Sequence, residues 1–280
     1  MTALLLADVA KNIRDLPSLS VVVMELLNSF GQEDANIGDL ADKVSRDQAL
    51  AAKTLRLANS SFYGLQSRVT TINQAITILG FDSVRTLITA AAVTDNFSSS
   101  KHASFDFKAF WRHSIGTALC SKMLARALNR NQDYAFISGL LHDIGKLVLV
   151  TRFPQEYAEV IAYRAEHDCY MLVAEGVVLG IDHTAVGRAL AEHWKFPALM
   201  QKSIANHHAP DAQDFGDIPG LVHVADAIMH ALDLTGQEHD LVPLIVEGAW
   251  NRINIAPAVL RNVFRDTESE FEEACQILTA

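Results

Sequence analysis

The sequence predicts an all-helical protein. Almost every segment of the 280-residue chain carries apolar residues at helical spacing, and no stretch shows the alternation of a half-buried strand. The turn signals between these segments are short, as at Gly80, Gly180 and Pro197. Half of the residues are apolar, so a chain of this length can bury a substantial core.

The individual helices follow from these patterns in chain order. An apolar stripe through Val21, Met24 and Leu27 follows the helix-start signal Pro17-Ser18. Further helices are predicted at 37–44, 47–58, 111–128, 133–144 and from His183 onward, with one more across 221–228. In this interpretation His142 and Asp143 lie in the middle of an apolar helix.

A composition shift divides the helical chain into two halves. The polar, serine-rich stretch FSSSKHAS (97–104) separates an apolar segment from the aromatic cluster at Phe107, Phe110 and Trp111. We therefore expect a boundary near residues 96–105, with an N-terminal helical unit over 1–96 and a second over 106–280. No internal repeat is evident.

Charge and cysteine usage restrict the class of protein. The chain has 23 Lys and Arg against 33 Asp and Glu, a net charge of −10, which disfavours general binding to nucleic acid or to anionic membranes. Cys120, Cys169 and Cys275 are too widely spaced for a thiolate metal site and are interpreted as buried thiols. The N-terminus lacks a basic leader, and no apolar run approaches ~20 residues, so we expect a cytoplasmic protein without a membrane span.

The C-terminal half concentrates histidine and aspartate at helix ends and on apolar helices. His142 and Asp143 are adjacent within GLLHDIGKLVL (139–149), where burial without a partner would be costly. The other members of this set are His113, His183, His207, His208 and Asp226. Imidazole and carboxylate together suit iron, manganese or zinc, and a carboxylate can bridge two ions. The set therefore predicts a mononuclear or dinuclear metal site, with phosphoester hydrolysis as one use.

Simpler structural interpretations exist for single members of the set. A lone histidine on an apolar face is usually a hydrogen-bonded core residue, which we favour for His193, His223 and His230. Asp143 and Lys146 have the i,i+3 spacing of a helix salt bridge. Asp182 suits the N-cap position of the following helix. Asp226 suits a cap position or an ion pair with a nearby cation.

Several stretches together resemble the HDOD domain, a bacterial signalling output module of the HD superfamily of metal-dependent phosphohydrolases. In the N-terminal half they are LPSLSVVVMELL (16–27), LAAKTLRLANSSFYGL (50–65) and VTTINQAITILGFDSVRTL (69–87); in the C-terminal half they are FWRHSIGTALCSKMLA (110–125), FISGLLHDIGKLVL (136–149) and DHTAVGRALAEHWKFP (182–197). The similarity extends over about residues 10–235. It implies an HD-like helical C-terminal half joined to an N-terminal helical HDOD subdomain.

The resemblance also implies roles for particular residues. The chain is similar to the related HD-GYP phosphodiesterases at the seven residues of the predicted metal site. In that family the matching residues are the ligands of a dinuclear metal centre; here they are His113, His142, Asp143, His183, His207, His208 and Asp226. Lys146 matches a lysine that contacts substrate phosphate. Ala209 stands where that family has a glutamate after His207-His208, and no GYP follows, so hydrolysis of cyclic di-GMP is not expected.

The N-terminal half permits a further interpretation. Residues 37–59 have the helix, turn, helix shape of a DNA-binding motif, with Lys53, Arg56 and Asn59 on or beyond the second helix. A plain helical hairpin is favoured, because two cations are few on a chain of charge −10. Ser60-Ser-Phe-Tyr-Gly64 is interpreted as a turn locked by aromatic burial or as part of a partner surface.

The sequence is compatible with three functions. The first is a non-catalytic signalling module with a regulatory metal or ligand site and a protein partner. The second is an active metal-dependent phosphohydrolase acting on a nucleotide or another phosphoester, with Lys146 contacting phosphate. The third is a DNA-binding regulator using residues 37–59.

Overall fold

The computed structural model describes residue 4 and residues 6–16, 19–30, 37–59, 68–97, 105–210, 217–236 and 241–278. These ranges contain helices, turns and loops and no strand, so the predicted all-helical class is confirmed. Within them the helices are α1 Leu6–Arg14, α2 Val21–Asn28, α3 Ile37–Arg46, α4 Gln48–Ala58, α5 Ile72–Leu79, α6 Phe81–Phe97, α7 Phe107–Ala127, α8 Gln132–Leu141, α9 Ile144–Arg152, α10 Pro154–His167, α11 Met171–Leu179, α12 His183–His193, α13 Ala198–Asn206, α14 Asp217–Leu232, α15 Glu247–Ile253 and α16 Pro257–Leu278.

Helix α7 is the centre of the C-terminal core. Asp106 caps its first turn by accepting a hydrogen bond from the Ala109 amide (2.9 Å), and most of the residues between Ala109 and Ala125 are buried. Helices α8, α14 and α16 all pack against it. Because α7 is covered from several sides, polar side chains on it must find partners inside the protein.

The two predicted halves meet over a continuous apolar core. Helix α6 packs on α8, and α1 packs on α12. Buried Arg85 of α6 donates to the Ser29 carbonyl (2.7 Å) and lies over the Phe30 ring (3.9 Å), which contacts Tyr134 of α8 edge-on. The division at residues 96–105 stays a prediction, since 98–104 are outside the described residues.

The segment predicted as a DNA-binding motif forms a helical hairpin, α3 and α4, with Asp47 between them. The Lys53 ammonium donates to the Ala91 carbonyl of α6 (3.2 Å). The Asn59 amide exchanges hydrogen bonds with the Val69 backbone (2.8 and 2.7 Å). Lys53 and Asn59 therefore bond within the chain, which favours the hairpin interpretation. The Ser60–Gly64 turn lies outside the described residues.

The prediction that His142 and Asp143 lie within one helix is wrong. They form the turn between α8 and α9, and glycines on either side let this turn lie against two other backbones. A Cβ at Gly139 would lie 2.9 Å from Ala118 Cα of α7. A Cβ at Gly145 would overlap the His183 carbonyl at the start of α12. The two glycines thus hold the turn between α7 and α12.

One stretch, Gln132–Arg152, is long and apolar enough to cross a membrane by length and composition alone. Of its most apolar window, 89% is buried inside the protein, and the turn at His142-Asp143 divides the stretch into α8 and α9. Such burial is typical of a core helix pair. Cys120 and Cys275 are buried as predicted, and burial raises the pKa of each thiol to about 12, while Cys169 is half-buried.

Substitution of Gly145 by alanine tests the close approach of α9 and α12. We expect Gly145→Ala to lower the free energy of unfolding by about 3 kcal/mol or more, because its methyl group overlaps backbone that cannot move aside. The control is Gly176→Ala on α11, where nothing lies within 4 Å of the added methyl group. That change should stabilise by about 0.5–1 kcal/mol through helix propensity. Urea denaturation measures both, and equal stabilities would contradict the packing described.

Candidate metal centre

The predicted site residues come from five places in the chain and meet in one buried cluster. His113 projects from α7, the turn after α8 supplies His142 and Asp143, and Asp226 projects from α14. His183 begins α12, while the turn after α13 supplies two more imidazoles. The structure therefore brings together all seven predicted residues: His113, His142, Asp143, His183, His207, His208 and Asp226.

One group of ligand-type atoms surrounds the Asp143 carboxylate. Asp143 Oδ1 lies 3.2 Å from His183 Nε2 and 3.6 Å from His207 Nε2. His183 Nε2 in turn lies 3.4 Å from His207 Nε2 and 3.1 Å from His208 Nε2. All four residues offer atoms within 4.8 Å of one another, a spacing suited to a shared cation.

A second group surrounds the Asp226 carboxylate. Asp226 Oδ1 lies 3.0 Å from His113 Nε2, 3.6 Å from His142 Nε2 and 3.4 Å from His230 Nε2. His142 Nε2 also lies 3.3 Å from Asp143 Oδ2, which joins the two groups. The arrangement has the form of two adjacent sites with the Asp143 carboxylate between them.

Bonds from outside the cluster orient three of the imidazoles. His183 Nδ1 lies 2.6 Å from Glu175 Oε2, and His142 Nδ1 lies 2.6 Å from the Gly139 carbonyl. His207 Nδ1 lies 2.9 Å from the Ile204 carbonyl. Carboxylate and carbonyl oxygens only accept hydrogen bonds, so each Nδ1 is the donor. Each Nε2 is thereby directed into the cluster.

This donor set fits a divalent cation. His183 Nε2 and His207 Nε2 lie 3.4 Å apart, and a cation between these two atoms would be coordinated by both rings. His113 Nε2, His142 Nε2 and Asp143 Oδ1 are buried, and the polar atoms nearest to them belong to other members of the cluster. Buried polar groups need partners, and a cation or a proton between these atoms would supply them.

The local electrostatics favour the protonation states that bind metals. Burial lowers the pKa of His207 to about 4 and holds that of His208 well below its usual range, so both rings are neutral near pH 7. Burial acts to raise the pKa of Asp143, but neighbouring His142 and Lys146 outweigh it and hold that pKa well below its usual range.

The pKa of His142 shifts in the opposite direction from those of His207 and His208. Burial acts to lower the pKa of His142, but the carboxylates of Asp143 and Asp226 outweigh it and raise that pKa to about 10. A metal ion would displace this proton, because only the neutral ring coordinates. In its absence the proton offsets part of the negative charge of the two carboxylates.

Lys146 forms the predicted i,i+3 salt bridge with Asp143, with Nζ 2.5 Å from Oδ2. Burial acts to lower the pKa of Lys146, but Asp143 and Glu175 outweigh it and raise that pKa, so the lysine stays charged. Its side chain is 17% exposed and lines a cavity of about 750 Å³ that reaches the cluster. An anionic ligand in this cavity would meet the ammonium group.

Glu175 of α11 is a functional position that the sequence reasoning missed. It is fully buried, and Oε2 accepts hydrogen bonds from the His183 amide (2.8 Å) and from His183 Nδ1. Oε1 accepts from the Tyr157 hydroxyl (3.0 Å). A single acidic residue within the apolar run Met171–Leu179 was the available signal, because a lone buried charge requires a partner.

The three histidines that the sequence predicts to be core residues differ in the structure. His223 is a hydrogen-bonded core residue, as predicted: its Nδ1 donates to the His207 carbonyl (2.6 Å) and its Nε2 accepts from the Val246 amide (2.9 Å). The same prediction is wrong for His193, which is exposed. It is also wrong for His230, which is half-buried and belongs to the Asp226 group. Asp182 caps α12 as predicted.

Comparison with known families identifies the class of protein. The family model for the HDOD domain matches residues 16–210, which is more than half of the chain. The chain therefore belongs to the HDOD domain family, as the sequence motifs suggested. The matched range includes the whole cluster except Asp226 and His230.

Solved structures share this fold over nearly the full length. An HDOD domain protein of unknown function from Geobacter sulfurreducens is 23% identical, covers 98% of each chain and has a TM-score of 0.76. A candidate phosphohydrolase from Shewanella amazonensis SB2B is 27% identical, covers 97% of each chain and has a TM-score of 0.75.

The curated relatives are longer proteins. An uncharacterized protein of Treponema pallidum (strain Nichols) is 26% identical over 209 residues, which are 74% of this chain and 40% of the relative. The uncharacterized protein YuxH of Bacillus subtilis (strain 168) is 31% identical over 116 residues, 40% of this chain and 27% of its own length. The chain thus spans less than half the length of both relatives.

Removal of the Glu175 carboxylate tests its role in orienting His183. We expect Glu175→Ala to lower the free energy of unfolding by about 3 kcal/mol, because it leaves the His183 ring and amide and the Tyr157 hydroxyl buried without a partner. Exposed Glu166 on α10 provides the control, and Glu166→Ala should change stability by less than about 0.5 kcal/mol. Equal effects of the two changes in chemical denaturation would contradict the assigned bonds.

Proposed function

We propose that the chain is an HDOD signalling module whose C-terminal half binds divalent metal. The observation that carries the proposal is the convergence of Nε2 and carboxylate oxygen atoms, most of them buried, within 4.8 Å of one another in each group. Two adjacent ligand groups with Asp143 between them support a dinuclear centre. Six imidazoles and two carboxylates suit iron, manganese or zinc.

The residues would divide between two ions. His183, His207 and His208 would hold one ion, while His113, Asp226 and His230 would hold the other, with Asp143 and His142 at the junction. A metal bound here would supply positive charge to an anionic ligand and polarise its phosphoryl oxygen. Lys146 would contact the same ligand from the cavity side, consistent with the role of the matching lysine in related HD families.

The signalling role rests on family membership and on the regulatory modules that the motifs resemble. We propose that metal or ligand occupancy is read by a protein partner in the cytoplasm, and we expect neither nucleic acid nor membrane to be that partner. Because the cluster joins α7, α9, α12 and α14, its occupancy would stabilise the packing of helices distant in sequence. A ligand that binds only the folded state adds stability by mass action.

Metal analysis combined with thermal unfolding tests this proposal. Purified protein should carry about one or two equivalents of metal, and a chelator should lower its melting temperature by about 5 °C or more. The double variant His142→Ala/Asp143→Ala should contain less metal and should melt independently of chelator. The control is His193→Ala, an exposed histidine outside the cluster, which should behave as wild type.

A wild-type protein without metal, whose melting temperature ignores both chelator and added manganese, would contradict the proposal. The cluster would then be a purely hydrogen-bonded core. In that case each single variant should destabilise more than the double variant, because each leaves one buried partner unsatisfied.

Phosphoester hydrolysis is the second candidate function. It is favoured by the open cavity beside Lys146 and the paired ligand groups, and the Shewanella relative described as a candidate phosphohydrolase adds support. Ala209 and the missing GYP argue against cyclic di-GMP as the substrate. Turnover of generic phosphoesters with added manganese tests it. If the chain is an enzyme, activity should fall at least about 100-fold in His142→Ala and persist in His193→Ala. Absence of turnover in metal-loaded wild type would remove this candidate.

A further inference from the structure

The residues that line the cavity beside the metal cluster form two sets. We call the cluster residues among them the floor and the other lining residues the walls. The floor is polar and includes His113, Asp143, His183, His208 and His230. The volume of about 750 Å³ lies in the range of small-molecule binding sites. The charge and polarity of the wall side chains therefore indicate which class of ligand the site selects.

Two cationic side chains mark where an anion would lie. Lys146 lines the cavity next to Asp143, and Arg164 of α10 lines it as well. Two carboxylates, Asp106 and Asp143, line the same cavity, so the two cations balance their charge and a bound metal would make this end of the cavity positive. Ammonium, guanidinium and metal ions together suit a phosphate group with two negative charges.

The remaining walls are largely apolar. They include two phenylalanines on or just before α7, the aliphatic side chains of α10 and α11, and a loop after residue 240. Representative members are Phe105, Phe110, Ile161, Leu172, Val173 and Leu244. Such surfaces bind hydrocarbon groups by removing them from water.

The polar wall groups are mostly used by the protein itself. The Asp106 carboxylate caps α7, the Tyr157 hydroxyl donates to Glu175, and the Tyr170 hydroxyl donates to the Val242 carbonyl (3.2 Å). His223 has both ring nitrogens engaged. No asparagine or glutamine is among the described residues that line the cavity. The walls therefore offer few side-chain groups for reading the edge of a nucleobase.

We propose that the cavity binds a phosphate monoester of an apolar or aromatic alcohol. The phosphate lies towards Lys146, Arg164 and the cluster, and the hydrocarbon part packs on the walls formed by α10, α11 and the loop after residue 240. This inference rests on the proposed function for the metal at the phosphate end. The preference for a hydrocarbon group rests on the walls alone.

Calorimetric titration with three probes tests the inference. The probes are phenylphosphonate, whose P–C bond resists hydrolysis, inorganic phosphate and adenosine 5′-monophosphate. On metal-loaded protein, phenylphosphonate should bind about 10-fold or more tightly than phosphate, because its ring is buried against the walls. It should also bind more tightly than adenosine 5′-monophosphate.

A matched pair of wall variants locates the site. Val173 and Val177 lie on the same helix with side chains 47% and 48% exposed, but only Val173 lines the cavity. Val173→Asp should weaken phenylphosphonate binding by about fivefold or more, because it adds a like charge and removes apolar wall. Val177→Asp should bind as wild type does.

Several outcomes would overturn the inference: equal affinity for phosphate and phenylphosphonate, tighter binding of adenosine 5′-monophosphate, no binding of any probe, or equal effects of the two valine variants. Metal analysis of the same samples separates this result from the proposed function. Metal-loaded protein that prefers the nucleotide overturns the inference alone. Metal-free protein that keeps the expected order of probes overturns the proposed function alone.

Discussion

The close approach of three backbones around the turn at His142-Asp143 is the constraint on which the candidate site depends. Gly139 lets the end of α8 lie against α7, and Gly145 lets the start of α9 lie against the first turn of α12. The same contacts bring His113 of α7 and His183 of α12 close to the Asp143 carboxylate. A side chain at Gly145 would separate α9 from α12 and move His183 away from Asp143. The spacing of the cluster is thus set by backbone packing.

The second requirement is that buried charge be balanced. Asp143 and Asp226 are nearly inaccessible to solvent, and isolated carboxylates at such positions would be strongly destabilising. Lys146 and protonated His142 offset part of this charge without metal, and a divalent ion would offset it more completely. Glu175 adds a third buried acidic group, which orients His183 by accepting hydrogen bonds from its amide and from Nδ1. Carboxylate–histidine pairs of this kind orient metal ligands and raise their basicity.

Sequence reasoning predicted the fold class and the members of the cluster because each depends on local pattern or on motif similarity. It placed His142 and Asp143 within a helix because apolar residues continue at helical spacing through both α8 and α9. The break between them comes from packing against α7 and α12, which the local pattern does not contain. His230 was interpreted as a core residue since a lone histidine on an apolar helix usually is one. Glu175 meets His183 only through the fold, so neither its partner nor the cavity walls could be predicted.

X-ray absorption spectroscopy of zinc-loaded protein tests the central claim that these imidazoles and carboxylates bind metal. We expect a first shell of nitrogen and oxygen at ~2.0–2.2 Å with the multiple-scattering pattern of imidazole. In His183→Ala the imidazole contribution should fall, and in His193→Ala it should be unchanged. A first shell of water oxygens without imidazole, or of sulfur at ~2.3 Å, would contradict the claim.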